Sequence, residues 1–211
     1  MSESIVPRLR PRALIAAAAL FMAGLTPSGA QVAPESAMRE TLAIGEEPGR
    51  VSTDEVVIKD GPYKRQVVFF RSNEAPGTFV VNTPEHFLYV VLGNNRALRY
   101  GIGVGREGFQ WSGLVKIVKM AEWPDWTPPP EMIQRQPYLP RFMAGGPGNP
   151  LGARAMYLGT TVYRIHGTNR PDTIGTAVSS GCFRLVNADV ADLYERVPVG
   201  TKVIIRQKPE L

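Results

Sequence analysis

The sequence predicts a mostly β protein, a sandwich or partly closed barrel with a short helix after Cys182. Short segments rich in β-branched and aromatic residues recur along the chain, separated by turn residues such as Gly93-Asn94-Asn95. One late segment, residues 188–196, places its apolar side chains on a single helical face. The chain of 211 residues is long enough to bury a core in one main domain.

The strands are predicted from runs of β-branched and aromatic residues that end at turn residues. They cover residues 54–58, 64–70, 78–82, 87–92, 97–104, 114–120, 155–158, 162–166 and 201–205. Four prolines between residues 122 and 130 exclude a regular helix there, and residues 131–135 are predicted as one helical turn. Asn187 is the predicted N-cap of the late helix, which ends before Pro198 and Gly200.

Three glycines alternate along one predicted strand, at Gly101, Gly103 and Gly105. A dinucleotide-binding turn requires a helix directly after such glycines, and the sequence has none there. Glycines in a strand instead indicate a place where another backbone or a ligand approaches closely.

The first 30 residues have the composition of a secretory signal. Three arginines precede a short apolar run at 13–25, and Ser28-Gly29-Ala30 supplies small residues for a signal peptidase. The run is shorter than the roughly 17–25 residues that a spanning helix needs, so we expect cleavage after Ala30 and no membrane span afterwards. We therefore expect an exported protein of the periplasm or cell wall, in which residues 31–76 form an N-terminal lead-in with possible extra strands.

Composition and charge exclude several classes of function. The net charge is +5 without a dense Lys/Arg patch, so nucleic acid is not an expected partner, whereas an anionic cell-wall polymer is compatible. One cysteine and two histidines without an acidic cluster at ligand spacing do not build a zinc site. We expect no metal and no cofactor.

Cys182 is the only cysteine of the chain, and His166 lies sixteen residues before it. An ordinary thiol, with a pKa of about 8.5, is only partly ionised at neutral pH, so a nucleophilic cysteine needs a nearby base. Two interpretations are open. Cys182 is either a buried, inert side chain, or it is retained in an oxidising compartment because its reactivity is used. His86, next to a predicted turn, is interpreted as a surface residue.

Small residues precede the cysteine, namely Ser179, Ser180 and Gly181. They leave space around the sulfur and permit a tight turn whose backbone N–H groups point at one spot, as an oxyanion hole requires. The residues around Cys182 therefore favour nucleophilic catalysis over an inert thiol.

Several motifs occur in an order that resembles the L,D-transpeptidases with a YkuD-type catalytic domain. They are His166-Gly167-Thr168-Asn169, Ile174-Gly175 and Ser179-Ser180-Gly181-Cys182-Phe183-Arg184-Leu185, with Trp123–Pro129 and Gly145–Gly152 upstream. The resemblance covers residues 77–206, the expected catalytic domain. Ser180 stands where many members carry a second histidine, which leaves His166 as the candidate base within the motif.

The resemblance implies acyl transfer on the tetrapeptide stem of peptidoglycan. Cys182 would attack the carbonyl of the third residue and release D-alanine, and an amine would then accept the acyl group from the thioester. The acceptor would be a neighbouring stem, a lysine of an envelope lipoprotein or a free D-amino acid. Two alternatives are a hydrolase that uses water on stems or on wall-anchored lipoprotein, and a non-catalytic wall-binding module.

Supporting roles are expected for further residues near the motif. The Gly167 carbonyl would orient the imidazole, and backbone N–H groups at Gly181 and Cys182 would hold the oxyanion, with Ser179 and Ser180 supporting the turn. Arg184 is a candidate for pairing with a substrate carboxylate, with a structural ion pair as the alternative. Trp126 and Tyr157 are candidate substrate-binding residues, while packing is the alternative for Trp126.

Overall fold

The computed structural model describes Ile58 and residues 60–207, and over this range the protein is mostly β, as predicted. Two helices are described, α1 (Pro130–Arg135) and α2 (Asn187–Glu195), with a 3-10 turn at Pro171–Thr173. Eleven strands are described: β1 (Gln66–Phe69), β2 (Phe79–Asn82), β3 (Phe87–Gly93), β4 (Arg96–Gly101), β5 (Val104–Gly105), β6 (Gly113–Glu122), β7 (Arg154–Leu158), β8 (Arg164–His166), β9 (Ala177–Ser179), β10 (Phe183–Arg184) and β11 (Lys202–Arg206).

Nine of the strands form one sheet in the order β1-β4-β3-β2-β11-β6-β7-β8-β10. The long strand β6 joins its two halves, because its first residues pair with β11 and its later residues pair with β7. β1 and β10 are the outermost strands of this sheet, which is therefore not closed into a barrel.

The second sheet is a parallel pair of two short strands, β5 and β9. Val104 pairs with Ala177, and Gly105 pairs with Ser179. This pair of strands positions the segment that leads into Cys182, since β9 ends at Ser179, three residues before it.

The core lies on the sheet face covered by α2. Its fully buried side chains include Phe79, Tyr100, Ile165 and Leu193. Residues of alternating position on the same strands, such as Val80 and Tyr89, form a smaller cluster on the opposite face. This alternation is what a strand buried on both faces requires, since successive side chains point to opposite sides.

Most predicted elements are confirmed, but the predicted strand 162–166 begins at Arg164, and strands β9 and β10 were not predicted. Three further differences concern the predicted strands 97–104, 64–70 and 54–58. The predicted strand 97–104 is divided, because Ile102 donates to the His86 carbonyl and Gly103 pairs with Arg184. The predicted strand 64–70 is shorter, at 66–69. The predicted strand 54–58 lies outside the described residues except for Ile58, which is not in a strand.

The close approach predicted at the alternating glycines is confirmed. A Cβ atom on Gly103 would lie 2.8 Å from the Thr173 carbonyl oxygen, and one on Gly105 would lie 3.1 Å from the Cα of Gly181. The backbone that carries Cys182 therefore rests directly on β5, where only glycine leaves enough space.

The helices of the described part of the chain are short, and none of them has the length and apolar character needed to cross a membrane.

Candidate active site

His166 is the last residue of β8, held between β7 and β10. Its carbonyl accepts a hydrogen bond from the Leu185 N–H at 2.9 Å, and its side chain is almost fully buried. Backbone bonds on both sides thus fix the strand end from which the imidazole projects.

The imidazole is held in one tautomer by a backbone carbonyl. Nδ1–H donates to the Gly167 carbonyl oxygen at 2.6 Å, which leaves the lone pair of the basic imidazole on Nε2. Burial lowers the pKa of His166 to about 3, and the positive charges of Arg184 and Arg164 act in the same direction against the backbone bonds to Gly167 and Leu151. The ring is therefore neutral at physiological pH, with the Nε2 lone pair unprotonated.

Asn187 fixes the backbone that carries this carbonyl. Its Oδ1 accepts hydrogen bonds from the N–H groups of Ala153 at 3.0 Å and Thr168 at 3.2 Å. The sequence interpretation of Asn187 as an N-cap was wrong, because Val186 occupies the cap position and Asn187 is the first helical residue. Its side chain connects α2 to the segment after His166 instead.

Cys182 is half-buried in the loop between β9 and β10. Ser179 organises this loop, because its Oγ donates to the Cys182 carbonyl at 2.6 Å and accepts from the Gly181 N–H at 3.1 Å. Gly181 has φ +108°, and a side chain there would enter the ring of Tyr163. Glycine is thus the residue that this turn accommodates.

The same bond changes the expectation for the oxyanion hole. The Gly181 N–H was expected to point at the substrate, but here it donates to Ser179 Oγ. In this arrangement Gly181 shapes the turn, and its N–H is not available as an oxyanion donor unless that bond is exchanged.

Residues from the loop after β5 support the turn and were missed by the sequence interpretation. Trp111 Nε1–H donates to the Gly181 carbonyl at 2.9 Å, and its ring stacks on Tyr163 with centroids 4.7 Å apart. Arg106 donates from its backbone N–H to the Ser179 carbonyl and from Nη1 to Ser180 Oγ, at 3.0 and 3.3 Å. A tryptophan within a glycine-containing loop was the available sequence signal.

One cavity of about 260 Å³ brings most of the predicted site residues together. It is lined by Phe109, Trp126, Pro129, Glu131, Met132, Arg135, Pro150, Leu151, Val162, Tyr163, Arg164, His166, Ser179, Ser180, Cys182 and Arg184. Cys182 and His166 thus face one space, with Ser179, Ser180, Arg184 and Trp126 around it.

Trp126 is a packing residue that also lines the cavity. It is 4% exposed and packs with Met132, Leu139 and Leu151, and it also lines the cavity. Its N–H and carbonyl both bond to Met143, which fixes the long segment between β6 and β7 as a wall.

Tyr157, a candidate substrate-binding residue, does not line this cavity. It lies opposite Arg164 in the β7–β8 ladder, and its ring packs under the Arg164 guanidinium, 5.1 Å from the centroid. Lys119 Nζ lies 5.0 Å from the same centroid. Both cationic side chains therefore pack against the Tyr157 ring.

The charged groups that line the cavity are three arginines and Glu131. The arginines are Arg135, Arg164 and Arg184. The described residues contain no group of three His, Cys, Asp or Glu side chains that could hold a metal ion. The arrangement combines a thiol, a neutral imidazole and excess positive charge.

Comparison with known proteins agrees with the motif resemblance. Residues 76–205 match the profile of the YkuD family, the L,D-transpeptidase catalytic domain. Over 137 residues the chain is 39% identical to the probable L,D-transpeptidase ErfK/SrfK of Escherichia coli K12, a match that covers 62% of this chain and 44% of that protein. The chain thus spans less than half the length of ErfK/SrfK.

A second relative is matched over more of its length, and a solved structure shares the fold. YqjB of Bacillus subtilis strain 168, also named for L,D-transpeptidase activity, is 33% identical over 141 residues, which cover 63% of this chain and 74% of YqjB. An L,D-transpeptidase structure from Mycobacterium smegmatis superposes with a TM-score of 0.50 at 16% identity, covering 68% of this chain and 59% of that one. On the profile match and these identities, the chain belongs to the YkuD family of L,D-transpeptidase catalytic domains.

Proposed function

We propose that this protein is a cysteine-dependent L,D-transpeptidase that acts on the tetrapeptide stem of peptidoglycan. The observation that carries the proposal is the shared cavity of Cys182 and His166, in which the Gly167 carbonyl fixes the imidazole with its basic nitrogen unprotonated. Membership of the family supports the class of enzyme, and the cavity supports the assignment of residues.

The first step forms a thioester. His166 accepts the thiol proton of Cys182, and the thiolate attacks the carbonyl carbon of the third stem residue. The C–N bond to D-alanine then breaks, and His166 returns the proton to the leaving amine. A neutral imidazole at rest is the state that this step requires, and burial provides it.

The developing oxyanion is assigned to the backbone of the turn that carries Cys182. Ser179 holds this turn through the Cys182 carbonyl and takes up the Gly181 N–H, so the Cys182 N–H is the proposed donor, fixed before substrate arrives. Donors fixed in this way are worth roughly 3–4 kcal/mol each in comparable acyl-transfer sites.

The second step transfers the acyl group to an amine. The incoming amine gives its proton to His166 as it attacks the thioester, and the Cys182 thiol is restored. The amine would come from a neighbouring stem, from a lysine of an envelope lipoprotein or from a free D-amino acid, and the products identify which one is used.

The domain organisation follows the same proposal. Residues 1–30 direct export and are removed, residues 31–76 lead in, and residues 77–206 form the catalytic domain of a protein of the periplasm or cell wall. The export step is tested by mass spectrometry of the protein isolated from an envelope fraction. The expected result is a mature chain that begins at Gln31.

Activity is tested by incubating the protein with tetrapeptide stems and analysing the products by mass spectrometry. A cross-linked dimer together with released D-alanine is expected, whereas a tripeptide without a dimer would identify water as the acceptor. Cys182→Ala should bind stems and form neither product. Turnover that survives this substitution would contradict the proposed nucleophile.

A further inference from the structure

Two arginines of the cavity have no carboxylate partner among the described residues. Arg135 and Arg164 both line the cavity, yet neither forms an ion pair within the described range. Other arginines do so, since Arg154 pairs with Glu122 at 3.3 Å and Arg196 with Asp192 at 2.7 Å. A guanidinium without a protein carboxylate, beside a reactive centre, is suited to a carboxylate of the ligand.

Of these two arginines, Arg164 lies on the same strand as His166. It lies two residues before His166 on β8, so both side chains project from the same face of the strand, with Cα atoms about 7 Å apart. The two residues line the same cavity, and the charge of Arg164 contributes to the lowered pKa of His166.

The head of Arg164 is partly held in place by the protein. Nη1–H donates to the Val162 carbonyl at 3.1 Å, and the guanidinium lies against the Tyr157 ring. Nε is buried without a hydrogen-bond acceptor. The guanidinium thus keeps hydrogen-bonding capacity that the described residues do not use.

We propose that Arg164 binds the carboxylate of the leaving amino acid, the terminal D-alanine of the stem, which rests on the function proposed above. The nitrogen that His166 protonates and the carboxylate carbon are both bonded to the α-carbon of that D-alanine. A group that binds this carboxylate must therefore lie within reach of the space beside His166, and Arg164 projects from the same face of β8 as His166 does.

A specificity follows from this assignment. A stem that ends one residue later presents an amide at the position of the carboxylate, and an amide cannot form a charge-assisted bond with a guanidinium. Arg164 thus favours a tetrapeptide over a pentapeptide donor. In the reverse direction, free D-alanine enters with its carboxylate at the same place.

The experiment pairs a change in substrate with a change in enzyme. The kcat/KM for D-alanine release from a tetrapeptide is compared with that for alaninamide release from the same peptide with a C-terminal carboxamide. In the unmodified protein the acid should be preferred by roughly 10- to 100-fold. In Arg164→Gln the preference should fall to near unity, and Arg164→Lys should restore part of it.

Arg135→Gln is the matched control, because it removes one positive charge from the same cavity at the end of α1. It should keep the preference for the acid. A preference that is absent in the unmodified protein, or that survives Arg164→Gln, overturns the proposal while leaving the proposed function intact. Equal losses on both substrates would assign Arg164 a structural role only and would also overturn it.

A second readout uses the reverse reaction. Incorporation of labelled D-alanine into a stem should exceed that of D-alaninamide in the unmodified protein, and Arg164→Gln should abolish the difference. If the unmodified protein turns over neither peptide acid nor peptide amide, the proposed function itself fails, a result distinct from equal turnover of the two.

Discussion

A single hydroxyl, that of Ser179, holds the turn on which Cys182 lies. It bonds to the carbonyl of Cys182 and to the N–H of Gly181, and Ser179 is almost fully buried. Ser179→Ala removes the donor to that carbonyl and the acceptor of that N–H. We expect a loss of about 1–3 kcal/mol in the free energy of unfolding, measured by urea denaturation.

The same substitution should slow acylation of Cys182, because the turn that orients its backbone becomes looser. Ser180→Ala is the control, since Ser180 Oγ is bonded only at 3.3 Å, by Arg106, and is partly exposed. It should change stability by less than about 0.5 kcal/mol. Equal effects of the two substitutions would show that the Ser179 bonds do not hold the turn.

His166 should make stability depend on pH. Its pKa is about 3 in the folded protein against an ordinary value of 6.5, so below pH 6.5 the unfolded chain binds a proton that the folded protein excludes. The free energy of unfolding should therefore fall as the pH falls from 6.5 towards 3. Denaturation at pH 7, 6, 5 and 4 measures this slope.

His166→Gln is the matched variant because it keeps a polar side chain that does not titrate. Asp189 acts in the opposite direction, since burial raises its pKa to about 6, and it is present in both proteins. The difference between the two profiles thus isolates His166. A variant profile as steep as that of the unmodified protein would contradict the buried, neutral imidazole.

For single residues, the sequence indicates the side chains that carry reactive groups, but it does not indicate the side chains that position them. Cys182 and His166 stand out because they are rare and lie in a motif. Asn187 and Trp111 act through backbone atoms of residues far from them in the chain, 34 and 70 positions away. Such contacts depend on the folded path of the chain, which no local pattern specifies.

Among the elements, the segment before β1 contacts the loop that joins His166 to Cys182. The Tyr63 ring lies against Gly175, its hydroxyl donates to the Gly175 carbonyl at 3.4 Å, and its ring centroid is 5.6 Å from that of Phe87. Tyr63→Ala should cost roughly 2–4 kcal/mol of stability, while Tyr63→Phe should cost less than about 1 kcal/mol because the hydroxyl bond is long.

Hydrogen exchange distinguishes a local role of Tyr63 from general destabilisation. Tyr63→Ala should speed exchange of the Gly175 and Thr176 amides, which bond to Ile102 and Thr173. Phe70→Ala is the control, since Phe70 stacks on Tyr89, away from this loop, at 4.5 Å. Faster exchange at Gly175 in both variants would argue against a specific contact.

The predicted strands were most accurate where turn residues bound them on both sides. β2 and β3 were predicted to within one residue, since Pro84 and Gly93 mark their ends. The division after β4 was missed because Ile102 and Gly103 continue the apolar and glycine pattern of the strand. Their hydrogen bonds go to His86 and Arg184, whose proximity arises only in the fold.

At the scale of the whole molecule, the sheet extends beyond the family region of residues 76–205. β1 pairs with β4 along its full length, from Gln66 opposite Arg99 to Phe69 opposite Arg96. Arg65, just before β1, forms an ion pair with Asp192 of α2, with its Nη1 atom 2.9 Å from the carboxylate oxygen. The lead-in is therefore part of the same packed unit over its described residues.

A chain that begins at residue 77 should consequently be less stable than one that begins at residue 60. The shorter chain loses the β1–β4 ladder, the Tyr63 contact and the Arg65 ion pair, and β4 becomes an open edge. We expect the free energy of unfolding to fall by more than the roughly 2–4 kcal/mol expected for Tyr63→Ala, since a strand and an ion pair are lost together with that aromatic contact. Because an open edge strand can pair with another chain, the shorter protein should also associate as its concentration rises. Urea denaturation and size-exclusion chromatography of both chains measure these effects, and equal stability with no association would place the structural boundary at residue 77.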